Sequence, residues 1–274
     1  MINLPQDWID HYNIKEQGFD KLFGIEGPVY KKKDGRRTFR FKYKDEFYFG
    51  KFHKGVGWKK IMKNLLQFRR PPVLSAKNEW KAIQKLESLG IDTMTLAGYG
   101  KKGINPAKIE SFVITEELKH TISLENYCKD WAQNPPTDQM KKALIKKVAT
   151  IARIIHENGL NHRDFYICHF LLDISMGLDR VTPDTLKLFL IDLHRVQLRR
   201  SVPWRWRAKD ISALLFSSLD LGLSKEDLIY FASIYKNSTP EKSISDHRFF
   251  WWLVNKRAKN LYKKEFKKEA PSLL

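Results

Sequence analysis

The sequence predicts an α+β protein: a small antiparallel sheet with one helix, followed by a mainly helical second half. Three observations predict it. Residues 28–54 alternate apolar and polar side chains and are rich in Phe and Tyr, the period of a half-buried strand. Residues 75–89 carry apolar side chains at helical spacing. After Glu117 helical patterns dominate. The 274 residues can bury a large core, in one domain or in two packed lobes.

Each element has a local reason. Residues 1–27 read as a partly helical lead-in. The segments PVYKKK, RRTFRFKY and FYFGKFH read as three antiparallel strands. The turns between them are Lys33-Asp34-Gly35 and Lys44-Asp45-Glu46. Residues 58–69 form a short basic helix stopped by Pro71-Pro72. A second helix starts at the N-cap candidate Ser75, buries Trp80, Ile83, Leu86 and Leu89, and ends at Gly90. Strands follow near 93–99 and 110–116, completing a β-β-β-α-β-β order. The division falls between residues 1–117 and 118–274. In the second part a short helix is expected at 123–132. A long one at about 137–158 is opened by Pro135-Pro136 and stopped by Gly159. Apolar segments at 169–173 and 186–191 read as a hairpin around Asp179, and the chain from about 207 as mostly helix.

Hydrophobic residues make up 42% and charged residues 30%, as in globular proteins. The net charge of +19 is unusual. It suits nucleic acid, an anionic membrane face, a phosphorylated substrate or an acidic protein partner, and does not choose among them. Cys128 and Cys168 lie far apart and imply neither a zinc pair nor a disulfide framework. The N-terminus shows no signal peptide, and no run reaches the ~18 apolar residues of a spanning helix. A cytoplasmic location is expected, free or on a membrane surface.

The chemistry concentrates in two loops. In Gly159-Leu-Asn-His162-Arg163-Asp164-Phe-Tyr-Ile-Cys-His169, a helix ends, a polar loop follows and an apolar strand begins at Phe170. Further on, the buried-type strand Leu188-Phe-Leu-Ile ends in Asp192-Leu-His194. Carboxylates and imidazoles at such loop ends are placed to meet a metal and a substrate hydroxyl. One reading is phosphoryl transfer. A second is a metal-dependent phosphoesterase using His162, Asp164, His169, Asp192 and His194, which leaves Lys51 and Glu79 without a role. A third is a basic non-catalytic binder of nucleic acid, although no nucleic-acid motif is present.

His162-Arg163-Asp164 with a polar residue at 169 resembles the protein-kinase catalytic loop H-R-D-x-x-x-x-N, and Asp192-Leu193-His194 stands where D-F-G would. Lys51, on the third strand, and Glu79, on the following helix, match the kinase lysine and glutamate in order. NHRDFYICHFLL, LIDLHRVQLRR, WRWRAKDISALLFSSLDLGL and SFVITEEL narrow the match, which runs from about residue 28 to 262. The chain is thereby similar to the bacterial lipopolysaccharide core heptose(I) kinase family. The resemblance implies a bilobal protein-kinase-like fold, with a nucleotide-binding sheet in 1–117 and catalytic and metal loops in 118–274. It implies ATP and Mg²⁺, a lipid-linked core glycan as acceptor, no nucleic-acid partner, and a place at the cytoplasmic face of the inner membrane. A kinase acting on another inner-core sugar stays open.

By the same resemblance Asp164 is the catalytic base or orients the sugar hydroxyl. Lys51 holds the α- and β-phosphates and is fixed by Glu79. Asp192 and His169 hold the metal. Residues 114–118, through Glu116 and Leu118, form the hinge that meets adenine. Two departures stand out. His169 replaces the usual Asn, a softer partner for a hard ion. The glycine-rich loop is absent, and Lys31–Arg37 supplies cations in its place. Around the site, His162 reads as structural and bonded to backbone near Asp192. Arg163 reads as a positioning residue and Cys168 as an inert thiol. Asp210 reads as an N-cap that braces the catalytic loop. Trp204 and Trp206, among arginines, read equally as packing or as a sugar- and phosphate-binding patch. The aromatic, basic helix at 249–264 reads as core packing, with membrane-surface contact as the second reading.

Overall fold

A computed structural model describes residues 1–33, 35–67 and 73–271, with backbone alone for Lys15, Glu16, Gln17 and Lys33. Asp34 of the first predicted turn and the predicted helix stop Pro71-Pro72 lie outside the described residues. The chain divides into two compact units. One comprises Met1–Lys85, Met94–Leu118 and Leu193–Arg195; the other comprises Leu86–Thr93, Lys119–Asp192 and Val196–Leu274.

The first ten elements run β1 (Ile2–Asn3), α1 (Gln6–His11), α2 (Ile14–Phe23), β2 (Val29–Lys33), β3 (Arg36–Tyr43), β4 (Glu46–Lys54), α3 (Trp58–Leu66), α4 (Lys77–Ser88), β5 (Leu96–Lys102) and β6 (Glu110–Glu116). Among the described residues six strands form one antiparallel sheet in the order β1-β5-β6-β4-β3-β2. The period-2 pattern explains its buried face, which takes Phe39, Phe41 and Tyr43 from β3 and Phe52 from β4. Lys51 lies opposite Thr38 on one side and Val113 on the other.

Residues 1–27 are partly helical as expected, but they belong to the core rather than forming a lead-in. Trp8 is 3% exposed, and its ring centroid lies 4.7 Å from that of Tyr43 and 4.8 Å from that of Tyr48. Phe19 and Leu22 of α2 join the same core. Ile2 pairs with Gly100 and so extends the sheet by a strand. The pattern hid this because α2 breaks at Gly18 (φ 61°, ψ −147°), which interrupts the helical period. Arg37 ties the end of α2 to the sheet by donating to the carbonyls of Phe23 and Ile25 at 3.1 and 2.8 Å.

Helix α4 begins at Lys77, two residues after Ser75, whose hydroxyl accepts from the Lys77 N–H at 3.3 Å. The Ala76 N–H is drawn instead to Ser111 Oγ. The helix stops at Ser88, and Gly90 (φ 67°) closes its end as expected, with the Ile91 N–H returning to the Leu86 carbonyl. Strand β5 starts at Leu96, not 93. Residues 92–93 are committed elsewhere: Thr93 Oγ1 donates to the Leu190 carbonyl at 2.6 Å, and the Asp92 carbonyl accepts from the Leu190 N–H at 2.9 Å.

The remaining elements are β7 (Thr121–Ser123), α5 (Leu124–Tyr127), α6 (Asp138–Glu157), β8 (Leu160–Asn161), β9 (Phe170–Asp173), β10 (Leu188–Leu190), β11 (Gln197–Leu198), α7 (Trp204–Ser218), α8 (Lys225–Lys236), α9 (Pro240–Ser245) and α10 (Arg248–Phe266). The expected hairpin forms as β9 and β10, with β7 added on the far side of β9. The helix expected at 123–132 shrinks to α5, and turns follow it. Thr137 caps α6 through the Met140 N–H, and its stripe Met140, Leu144, Val148, Ile151, Ala152 and Ile155 is buried. Helix α10 buries Phe250, Val254, Ala258 and Tyr262 at four-residue spacing, while Phe249 and Trp252 stay exposed. Among the described residues no helix is long and apolar enough to cross a membrane.

The N-terminal segment is therefore expected to carry stability. Replacing Trp8 by Ala should cost about 3–5 kcal/mol, as for other buried aromatics. Urea denaturation of the purified variant measures it, and a loss below about 1 kcal/mol would contradict the packing described.

Candidate active site

Lys51 and Glu79 form an ion pair at 2.5 Å. Strand alternation sends Lys51 to one face of β4, and Glu79 sits in the first turn of α4. A carboxylate there is favoured by the helix dipole. The Glu79 side chain is 2% exposed and that of Lys51 20%. Paired cations and anions in such a setting hold each other in one geometry. His53, two residues along β4 and 4% exposed, shares this region. Burial, then the electrostatic influence of Arg36, Lys51 and His194, pushes its imidazole down to about 3.

Glu116 and Leu118 lie at the end of β6 and just beyond it. Glu116 is exposed and Leu118 half-buried. The chain between them is pinned. Glu117 receives both arms of Arg40 at 2.8 Å each, and its N–H donates to the Phe47 carbonyl. Of the basic turn at Lys31–Arg37, Lys33 and Arg36 are paired across β2 and β3.

In the second unit, the loop after α6 is built around Asp210. Gly159 (φ 79°) ends α6 where any Cβ would strike the Arg199 carbonyl. The Arg199 N–H in turn bonds the Gly159 carbonyl, and β8 pairs with β11 beside it. Asp210 is 1% exposed and accepts from the His162 N–H at 2.6 Å, the Arg163 N–H at 2.8 Å and His156 Nε2 at 3.2 Å. With Nε2–H donating, His156 Nδ1 accepts from the Tyr235 hydroxyl at 2.8 Å. The N-cap reading of Asp210 is thus corrected, because α7 already begins at Trp204, but the bracing of the loop is real. His162 is fully buried and donates from Nε2 to the Ile191 carbonyl at 2.9 Å, so its structural reading holds. Burial also lowers its pKa, which keeps the ring neutral.

His169 Nδ1 lies 2.6 Å from the Asp164 carbonyl, and a carbonyl only accepts, so Nδ1 carries the proton. Nε2 faces Asp192 Oδ2 at 3.5 Å, and in the neutral ring it offers a lone pair there. Two lone-pair donors facing each other suit a cation shared between them. Among the described residues no three His, Cys, Asp or Glu side chains cluster as metal ligands. The Asp192 carboxylate suits an ion that completes its shell with phosphate oxygens and water, the habit of Mg²⁺, while the His169 nitrogen is the less typical partner of the pair. Arg163 (φ 74°) and Asp192 (φ 60°) are both non-glycine residues in the left-handed region. Such strain persists only where surroundings enforce it. Here Asp210 holds the first, and the hydrogen bonds on Ile191 flank the second.

The amino-acid sequence matches the lipopolysaccharide kinase (Kdo/WaaP) family over residues 20–235. The chain belongs to that family. A lipopolysaccharide core heptose(I) kinase WaaP of Escherichia coli is 48% identical over 235 residues, covering 86% of this chain and 87% of the relative. The WaaP of Pseudomonas aeruginosa is 41% identical over 247 residues, covering 90% and 91%. A solved structure, WaaP in complex with acyl carrier protein, superposes with a TM-score of 0.82 at 35% identity, over 96% of this chain and 99% of that one. The fold is therefore the bilobal kinase-like one, and the chain is a kinase, for which ATP is the phosphoryl donor.

For a member of this family the loops collect the predicted residues in two groups. Lys51 meets Glu79, and Asp164, His169 and Asp192 meet through one side-chain contact and one backbone contact. The sequence reading missed the His156–Tyr235 link behind Asp210. Its only signal is a histidine on the buried stripe of α6. Cys168 is half-buried, and burial pushes its thiol up to about 11, in accord with an inert thiol. The Trp206 ring is covered by cations, with Lys209 Nζ 4.0 Å from its centroid, which disfavours the sugar-stacking half of its reading.

Two outcomes are expected. Asp210→Ala strands buried donors and should cost about 3 kcal/mol or more of stability, with kinase activity lost alongside, read by thermal melting and ATP turnover. His53 is neutral when folded and has an ordinary pKa near 6.5 when unfolded. Its share of stability is full above about pH 6.5 and declines as pH falls toward about 3, at no more than about 1.4 kcal/mol per unit. His53→Gln should flatten that part of the curve in urea titrations from pH 7 to 4.

Proposed function

We propose that this kinase transfers the γ-phosphoryl group of ATP to a hydroxyl of the first heptose of the lipopolysaccharide inner core, with Asp164 as base. The observation that carries the residue assignment is the loop around Asp164, braced by buried Asp210 and linked through His169 to Asp192. The acceptor follows from the relatives named as heptose(I) kinases at 41–48% identity.

In this reading Lys51, steadied by Glu79, neutralises the α- and β-phosphates. The hinge at Glu116 and Leu118 meets adenine through its backbone. Asp164 accepts the proton of the heptose hydroxyl as that oxygen attacks the γ-phosphorus, and the bond to the β-phosphate oxygen breaks. The products are ADP and a sugar phosphate monoester. Asp192 and His169 would hold Mg²⁺, which supplies charge neutralisation on the phosphates when bound. A phosphoesterase would have no use for the Lys51–Glu79 pair.

The acceptor is lipid-linked, and we place the enzyme at the cytoplasmic face of the inner membrane. The net charge of +19 and the exposed aromatics Trp204, Phe249 and Trp252 support contact with an anionic surface. The same charge, with a solved relative seen bound to acyl carrier protein, supports an acidic protein partner as well.

Asp164→Asn should lower kcat by about 100-fold or more while leaving the melting temperature near wild type. Lys51→Met should lower kcat/KM for ATP by at least about 100-fold, where a hydrolase would keep most of its activity. Core glycolipid lacking phosphate, incubated with enzyme and ATP, should gain one phosphate on heptose by mass and phosphorus NMR. ATP turnover without that product would refute the acceptor.

A further inference from the structure

The second unit concentrates positive charge that the transfer step itself does not use. Between Asp192 and Asp210 the sequence has six Lys or Arg residues and no carboxylate. Three of them gather on the Trp206 ring with a fourth cation from the catalytic loop. Lys209 Nζ lies 4.0 Å from the ring centroid, the Arg199 guanidinium 5.6 Å, and those of Arg163 and Arg205 6.0 Å each. Arg163 precedes Asp164, and its N–H is held by Asp210. The cluster is therefore fixed to the loop that carries the proposed base.

Cation–π contacts offset some of the cost of this crowding. Cations gathered around one ring also repel one another. Asp210 directs its hydrogen bonds to His162, Arg163 and His156. Arg199 is oriented by neutral oxygens, Asn161 Oδ1 at 3.3 Å and Gln197 Oε1 at 2.6 Å, which fix its direction without cancelling its charge. A planar guanidinium so fixed is built for an oxyanion. Arg199 and Arg205 are exposed and Lys209 half-buried, so a ligand reaches all three.

We infer that Arg199, Arg205 and Lys209, arrayed on Trp206, bind a carboxylate or phosphate carried by a sugar of the acceptor next to the one phosphorylated. This inference rests on the proposed kinase reading and names a second contact for its acceptor. Binding energy gathered there, away from the reacting atoms, positions the hydroxyl at Asp164. The cluster thereby selects acidic acceptors over neutral ones.

The test combines Arg199→Gln/Arg205→Gln with three acceptors: intact core glycolipid, the same after chemical dephosphorylation, and the same with its carboxylates reduced to alcohols. The variant should raise KM for the intact acceptor about tenfold or more, with KM for ATP changed less than about twofold. In wild type one of the two altered acceptors should show the same loss, and on it the variant should add nothing further. That acceptor identifies the source of the oxyanion. A variant penalty equal on all three acceptors, or an equal rise in KM for ATP, overturns the proposal. A direct readout guards against misfolding of the variant and against failure of the kinase reading itself. The indole ¹⁵N–¹H resonance of Trp206, assigned with Trp206→Phe, should shift saturably when wild type is titrated with inorganic phosphate. Absence of a shift overturns the site. If wild type shifts but phosphorylates no acceptor, the assignment of heptose fails and the anion site stands.

Discussion

One buried carboxylate organises the second unit. Asp210 has almost no contact with solvent, and a charge there persists only if hydrogen bonds replace the lost water. Two backbone N–H groups of the loop at 162–163 and the His156 ring provide them. The consequence runs both ways. The loop cannot relax without exposing Asp210 unpaired, and α7 cannot shift without releasing the loop. The strained backbone at Arg163 is sustained by this mutual requirement.

From that anchor the rest of the loop follows in order. His162, turned inward, ties the Ile191 carbonyl, and Ile191 immediately precedes Asp192. His169 receives its tautomer from the Asp164 carbonyl and turns its other nitrogen toward Asp192. The two loops are thus joined by two imidazoles, each used as a bridge from one chain segment to the other. A histidine where kinases commonly place asparagine keeps the polar contact and adds a ring of fixed orientation. In the first unit, Lys51 and Glu79 depend on nothing so elaborate. A strand and a helix place them, and the charge pair does the remainder.

Much of this was legible in the sequence because the decisive signals are local. Alternation gave β3 and β4, the stripe of Trp80, Ile83 and Leu86 gave α4, and the polar loop after Gly159 marked the chemistry. The order Lys51, Glu79, Asp164, Asp192 pointed to a kinase. What stayed hidden was non-local. Trp8 is buried by strand residues 33 to 40 positions away in the sequence, and Ile2 pairs with Gly100. Asp210 looks like a cap because a carboxylate before an apolar run usually is one, and only the partners from 156, 162 and 163 reveal otherwise. The early start of α7 at Trp204 was masked by its arginines, which read as a charge run.

The pairing of the first residues with β5 bears on how the chain can assemble. The Met1 carbonyl accepts from Lys101, and the Met1 amino group donates to the Lys101 carbonyl at 3.1 Å. Strand β1, at one edge of the sheet, thus finds its partner only once the chain has reached Gly100. Trp8 meets Phe41, Tyr43 and Tyr48 early, whereas the contact of Phe19 with Phe112 and the pairing of Ile2 with Gly100 wait until residues beyond 100 have emerged.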